Sequence, residues 1–167
     1  MKFISVSLLA CALAGADVDV ETFVFGLSHH TNRSVDWNER NYGLGLGLAY
    51  HVNKYSDITV FTGTYNDSFN DQAKFASVGL RGIIGDRNAL HATLGLSGGY
   101  LNGSNVNGFV IMPVMSLGYD WIDICVTGQP NKSSGNNSGS SDPRDNRNEQ
   151  SSTGVYAGFI KFRIATF

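Results

Sequence analysis

Three residues of this 167-residue chain have the types needed for acyl or proton transfer: His30, Asp67 and Ser68. A serine hydroxyl becomes a nucleophile, or relays a proton, when a base such as histidine lies within hydrogen-bond reach. An adjacent carboxylate can orient or activate the partner hydroxyl. His30 and Asp67 stand 37 positions apart, so only the fold can unite them. A histidine at a strand end beside Ser, Asp and Asn is also the ordinary solvated kind, and spacing alone leaves both readings open.

The elements that must position them are strands. Eight segments read as strands: Glu21–His30, Asn41–Val52, Tyr55–Tyr65, Gln72–Ile84, Asn88–Leu101, Gly108–Tyr119, Trp121–Gly128 and Gly154–Phe167. Each is bounded by Asn, Asp, Gly or Ser clusters. Most run to about 10–14 residues, the length a tilted strand needs to cross a bilayer. Leu44, Leu46, Leu48 and Tyr50 share one face of the second, opposite Gly43, Gly45, Gly47 and Ala49. Leu90, Ala92, Leu94 and Leu96 of the fifth oppose His91, Thr93, Gly95 and Ser97. A period of two with one apolar face predicts an eight-stranded antiparallel up-and-down transmembrane β-barrel. Twenty glycines would also suit a soluble sandwich; strand count, strand length and the terminal Phe167 favour the barrel.

In the first strand Phe23, Phe25 and Leu27 are expected to face lipid. Thr22, Val24, Gly26, Ser28 and His30 would then face inward and His29 the lipid interface. Eight-stranded barrels are normally filled by side chains. The glycines of the second strand, with Gly79 and Gly95, either leave room for a hydrocarbon chain or only relieve crowding. Val110, Met112 and Val114 make the sixth strand apolar on its inward face as well, and Phe61 and Phe75 are inward candidates. Short links at His51–Lys54, Gly85–Arg87 and Asp120 are the inner turns. Thr31–Arg40, Asn66–Asp71, Asn102–Asn107 and Gln129–Thr153 are the outer loops, the last a long polar extracellular one. His30 and Asp67-Ser68 thereby meet at one rim.

Residues 1–16 read as a signal peptide: Lys2, a short apolar run, and small residues ending at Ala16. Leu9-Ala10-Cys11 is a weaker lipoprotein-like alternative. The mature domain is then 17–167. Its formal charge moves from −2 to −3, because Lys2 leaves and no acid does. Cys125 is left alone, which excludes an internal disulfide. With no Lys/Arg-rich run, nucleic acid is not an expected partner. The expected location is the bacterial outer membrane.

Trp37-Asn38-Glu39-Arg40 with Tyr42-Gly43 is similar to the Tyr-Asn-Glu-Arg-Pro-Trp-Gly start of the second strand in the outer-membrane lipid A palmitoyltransferases (PagP family). Tyr65-Asn66-Asp67-Ser68-Phe69-Asn70 resembles that family's Phe-Lys-Asp-Ser-Trp-Asn. Pro113-Val114-Met115-Ser116-Leu117-Gly118-Tyr119 resembles its Pro-Leu-Ala-Ser-Val-Gly-Tyr, and Val155-Tyr156 through Lys161-Phe162 follows its closing strand. The resemblance spans about Gly26 to Phe167. It implies transfer of a palmitoyl chain from a phospholipid to lipid A in the outer leaflet, without metal or cofactor. It also implies His30, Asp67 and Ser68 as the catalytic residues at the extracellular rim. Gly79 would be the floor of an acyl pocket inside the barrel, with Pro113 and Pro130 at gaps through which lipid enters.

The chain departs from the family in lacking an amphipathic helix before the first strand and in carrying Phe25 in place of a first-strand proline. Its first outer loop is shorter and its fourth much longer. The expected function is therefore an outer-membrane acyltransferase, acting as a monomer on a phospholipid donor and a lipid A acceptor. A non-enzymatic barrel displaying its long loop to a surface partner is one rival. A lipid A deacylase-type esterase, suggested by Gly26-Leu27-Ser28-His29-His30, is another.

Overall fold

The computed structural model describes residues 17–31, 37–104, 106–129 and 154–167. The expected signal peptide (1–16), Pro130 and positions 130–153 of the expected fourth outer loop lie outside those residues. Eight strands follow in chain order: β1 Val18–His30, β2 Gly43–Asn53, β3 Ser56–Asn66, β4 Gln72–Gly85, β5 Leu90–Asn102, β6 Asn107–Tyr119, β7 Ile122–Gln129 and β8 Val155–Thr166. Each pairs antiparallel with the next, and β1 pairs with β8, so the sheet closes into a barrel with consecutive strands as neighbours. All eight expected segments are strands, with no end displaced by more than three residues.

The alternation of β2 and β5 is realised as read. Leu44, Leu46, Leu94 and Leu96 are exposed on the outside, while Gly45, Gly47, Ala49, His91, Thr93 and Ser97 are buried within. Leu80, Phe109, Ile111, Leu117 and Ile124 extend the outward apolar surface around the barrel.

In β1 the expected phase is wrong over its first half. Phe23 and Phe25 point inward: Phe23 is buried and lies edge-on to Phe61 at 5.1 Å between ring centroids, and Phe25 meets Phe75 at 5.5 Å. Val24 is exposed instead, and Thr22 stands opposite the outward Leu46. The cause is a register shift against β8 between Phe25 and Leu27. One extra residue at Gly26 reverses the alternation, so Leu27 is outside and His30 inside, as expected.

The β2 glycines serve aromatic packing more than empty space. A Cβ on Gly47 would lie 2.8 Å from both the Phe23 and the Phe61 rings. Phe61 and Phe75 do point inward.

Towards the termini the interior is filled by ion pairs. Arg81 bonds Glu21 at 2.8 Å and Asp57 at 2.6 Å; Lys161 bonds Glu21 at 2.9 Å and Asp123 at 3.2 Å. Arg87 reaches Asp57 at 2.6 Å, and His91 reaches Asp123 at 3.1 Å. Glu21 and Asp57 are almost wholly buried. Dry charges cost several kcal/mol each unless paired and hydrogen-bonded, which explains why carboxylates and cations alternate through this layer.

Candidate active site

The β3–β4 turn builds one side of the site. Asn70 donates its N–H to the Asp67 carbonyl at 2.9 Å and adopts φ 65°, a left-handed conformation that Asn tolerates. Asp67 Oδ1 accepts the backbone N–H groups of Phe69 and Asp71 at 2.9 and 3.1 Å. Asp67 Oδ2 accepts that of Ser104 at 2.8 Å. Burial pushes the Asp67 carboxyl up, but the hydrogen bonds from Ser104, Phe69 and Asp71 outweigh it and hold the group below its ordinary value. From the other side, Asn38 donates its N–H to the Ser68 carbonyl at 3.0 Å and its side-chain amide to the Asp67 carbonyl at 3.1 Å.

These constraints bring Ser68 Oγ to 2.7 Å from His30 Nε2. The His30 ring is buried and stacks on Trp37, with centroids 4.7 Å apart and planes 13° from parallel. A histidine so clamped presents one fixed nitrogen to the hydroxyl, the geometry required of a general base. Asp67 does not touch the imidazole. It acts on the backbone that carries Ser68, and the three N–H groups it engages are thereby occupied rather than offered to a developing oxyanion. His29 points the other way, half-exposed, 3.4 Å from Glu39 Oε1.

Beneath the pair lies a cavity of about 330 Å³, lined by His30, Asp67 and Ser68 at the rim and mainly apolar groups below, among them Phe25, Phe61, Phe75, Phe159, Met112 and Val114. This lies at the small end of ligand pockets, which run from roughly 300 to 1,000 Å³. Arg81 and Lys161 of the ion-pair layer also border it. Gly79 is buried and inward-facing, yet it is screened from the cavity: a Cβ there would lie 2.9 Å from Thr59 Oγ1, and it is Thr59 and Ser97 that line the space.

Pro113 is on the outer face of β6. The ladder between β6 and β7 runs from Tyr119↔Ile122 only as far as Val114↔Thr127. Thr127 Oγ1 caps it by donating to the Pro113 carbonyl at 2.9 Å. In an antiparallel pair a residue's N–H and C=O point to the same side. Pro113 therefore has no N–H to give β7, and the rim-ward part of β6 makes no rungs with β7 among the described residues. Met112 and Gly128, beyond the last of these rungs on β6 and β7, both line the cavity.

The roles of Trp37 and Asn38 were not assigned from the sequence, although both stand in the Trp37-Asn38-Glu39-Arg40 stretch. Ser104 carried no sequence signal beyond its place in a loop, and Asn41 none beyond its place at the start of the expected second strand. Among the described residues no cluster of three or more His, Cys, Asp or Glu side chains is arranged to hold a metal ion. Compared with models of known protein families and with curated proteins, the chain matches none.

Proposed function

We propose that this barrel is an outer-membrane acyltransferase that moves an acyl chain from a phospholipid to lipid A at the extracellular rim. The observation that carries this reading is the 2.7 Å pairing of His30 Nε2 with Ser68 Oγ at the mouth of an apolar cavity. The outward belt of leucine, isoleucine and phenylalanine supports a bilayer setting. The end of the β6–β7 ladder at Val114 and Thr127, next to Pro113, supports sideways access for a lipid, and the sequence resemblance supports the choice of donor and acceptor.

In this reading the donor chain lies in the cavity with its ester at the rim. The acceptor hydroxyl gives its proton to Ser68 as Ser68 passes its own to His30. The acceptor oxygen bonds to the acyl carbonyl carbon, the ester bond to the donor breaks, and the departing oxygen regains a proton from His30. The products are an acylated acceptor and a lysophospholipid. Asp67 and Asn38 position Ser68, and Trp37 fixes the imidazole.

Mass spectrometry of lipid A from cells with and without the gene tests this directly. An added acyl chain in the presence of the gene is expected. Loss of a chain with release of free fatty acid would assign the same His–Ser pair to hydrolysis, with water as acceptor. Unchanged lipids would leave the loop-display role.

A further inference from the structure

The row of residues that crosses Gly79 carries two hydroxyl groups. Gly79 of β4 pairs with Thr59 of β3 on one side and with Ser97 of β5 on the other. The point where a Gly79 Cβ would stand is 2.9 Å from Thr59 Oγ1 and 3.4 Å from the Ser97 Cα, so the two residues flank one spot left free by the glycine. Both line the cavity. Neither hydroxyl bonds a described residue, and neither is sealed within the wall as Ser28 Oγ and Asn41 Oδ1 are. Ser97, at 5 % exposed against 1 % for Thr59, is the more open of the pair.

One two-residue step from Gly79 towards the inner turns stands Arg81, whose side chain keeps 12 % of its surface exposed and borders the same cavity. Its Nε, Nη1 and Nη2 each give one N–H to Asp57 or Glu21. A guanidinium carries five, so two have no acceptor among the described residues. Lys161 also borders the cavity, and its ammonium meets only Glu21 and Asp123, which leaves one of its three protons over. Between this floor and the His30–Ser68 rim the walls include Phe25, Phe61, Phe75 and Phe159. The cavity is therefore polar at both ends and apolar between them.

A chain ending in a methyl group would leave the floor groups unsatisfied, which buried polar groups in folded proteins seldom are. A chain ending in a carboxylate would bring a charge with no partner, because Arg81, Arg87 and Lys161 already match Glu21, Asp57 and Asp123 in number. A terminal hydroxyl adds no charge and both donates and accepts. We infer that the cavity floor is a binding site for a neutral hydroxyl at the far end of the acyl chain, with Ser97 as its principal reader and Thr59 and Arg81 beside it. The chain hydroxyl accepts an N–H from Arg81 and donates to Ser97 Oγ. This inference rests on the acyltransferase reading for the ester's place at the rim, and not for the hydrogen bonds at the floor.

The test is displacement of a fluorescent fatty acid from the folded protein in detergent micelles. The competitors are methyl esters of straight-chain fatty acids of increasing length, each made with a methyl, a hydroxyl or a carboxylate at the far end. At one chain length the hydroxyl-ended ester is expected to bind about tenfold more tightly than the methyl-ended one, the worth of about one net hydrogen bond. Ser97→Ala should remove most of that preference by weakening the hydroxyl-ended ester, while the methyl-ended ester binds at least as well as before. Thr59→Val, which keeps the side chain's shape, should reduce the preference less. Both changes are small enough to leave the barrel folded, which heat-modifiable gel mobility checks. No hydroxyl preference at any length, a carboxylate-ended ester that binds tightest, or a preference that survives both substitutions overturns the inference. A hydroxyl preference in a protein that transfers no chain would sink the acyltransferase reading and keep this one; transfer without the preference would do the reverse.

Discussion

Asp67 Oδ2 holds the backbone N–H of Ser104 at 2.8 Å, so a carboxylate in the β3–β4 turn pins the β5–β6 loop while standing next to the serine that meets His30. The contact is inter-loop, and it decides how Asp67 contributes. Asp67→Ala should lower kcat by disordering Ser68 rather than by removing a proton acceptor. Faster hydrogen exchange at the Ser104 and Asp71 amides in the folded variant would check this.

The same carboxylate gives a pH dependence of known sign. Its folded value lies below the ordinary one of about 4. Its contribution to loop order is therefore fully present above that ordinary value and is lost as the pH falls through the lowered folded value. Protection of the Ser104 amide should fall off below about pH 4 in the wild type, and Asp67→Asn should flatten that dependence. An acid profile identical in the two proteins would show that Asp67 does not hold the loop.

His30→Ala and Ser68→Ala should each reduce acyl transfer by about 10²- to 10⁴-fold, the usual cost of losing a general base or its relay. Both should keep the heat-modifiable gel mobility of a folded barrel. His29→Ala should lose far less, since that ring points away from the cavity. A lipid-product assay on the three variants separates them, and wild-type transfer in either of the first two would remove the site.

Arg81→Met strips one partner from each of Glu21 and Asp57, which are nearly inaccessible to solvent. Unfolding in urea from detergent or bilayers should show a loss of about 3 kcal/mol, at the lower end for a broken buried pair because Lys161 and Arg87 remain. On the outer surface, Leu46→Arg should cost about 2–4 kcal/mol if that position sits near the bilayer midplane. No cost at Leu46 would argue against a lipid-facing belt.

Gly79 and Ser97 should behave differently. A Cβ on Gly79 meets the Leu96 carbonyl at 2.8 Å as well as Thr59, so Gly79→Ala should lower stability by about 1–3 kcal/mol without changing the chain transferred. Ser97 lines the cavity directly, and Ser97→Met should shorten the accepted chain. Product mass reads both effects.

The barrel was legible because alternate residues are apolar over Leu44–Tyr50 of β2 and Leu90–Leu96 of β5, and a period of two survives any detail of packing. The first half of β1 was misread because the alternation is interrupted at Gly26, and a bulge leaves no mark in composition. His30 was placed inward correctly because it lies beyond that interruption, on the face opposite Leu27. Asp67 and Ser68 were visible as residue types, but the division of labour between them depends on three backbone N–H groups that no spacing rule supplies. The ion-pair layer had a signal in Arg81 and Lys161, which are cations inside strands, but not in Glu21, Asp57 and Asp123, which stand at or near strand starts.

The layer around Arg81 and Lys161 makes the barrel a cup rather than a pipe. Its base is made of charges already committed to one another, so in the proposed acyl-transfer role a hydrocarbon tail reaching it would satisfy none of them and would hinder whatever hydration those groups keep. Each further methylene would then be resisted electrostatically before it is resisted sterically. A ruler of that kind tolerates a tail that is too short and penalises one that is too long, and its cut-off moves when a charge in the base is replaced, even if the cavity keeps its volume.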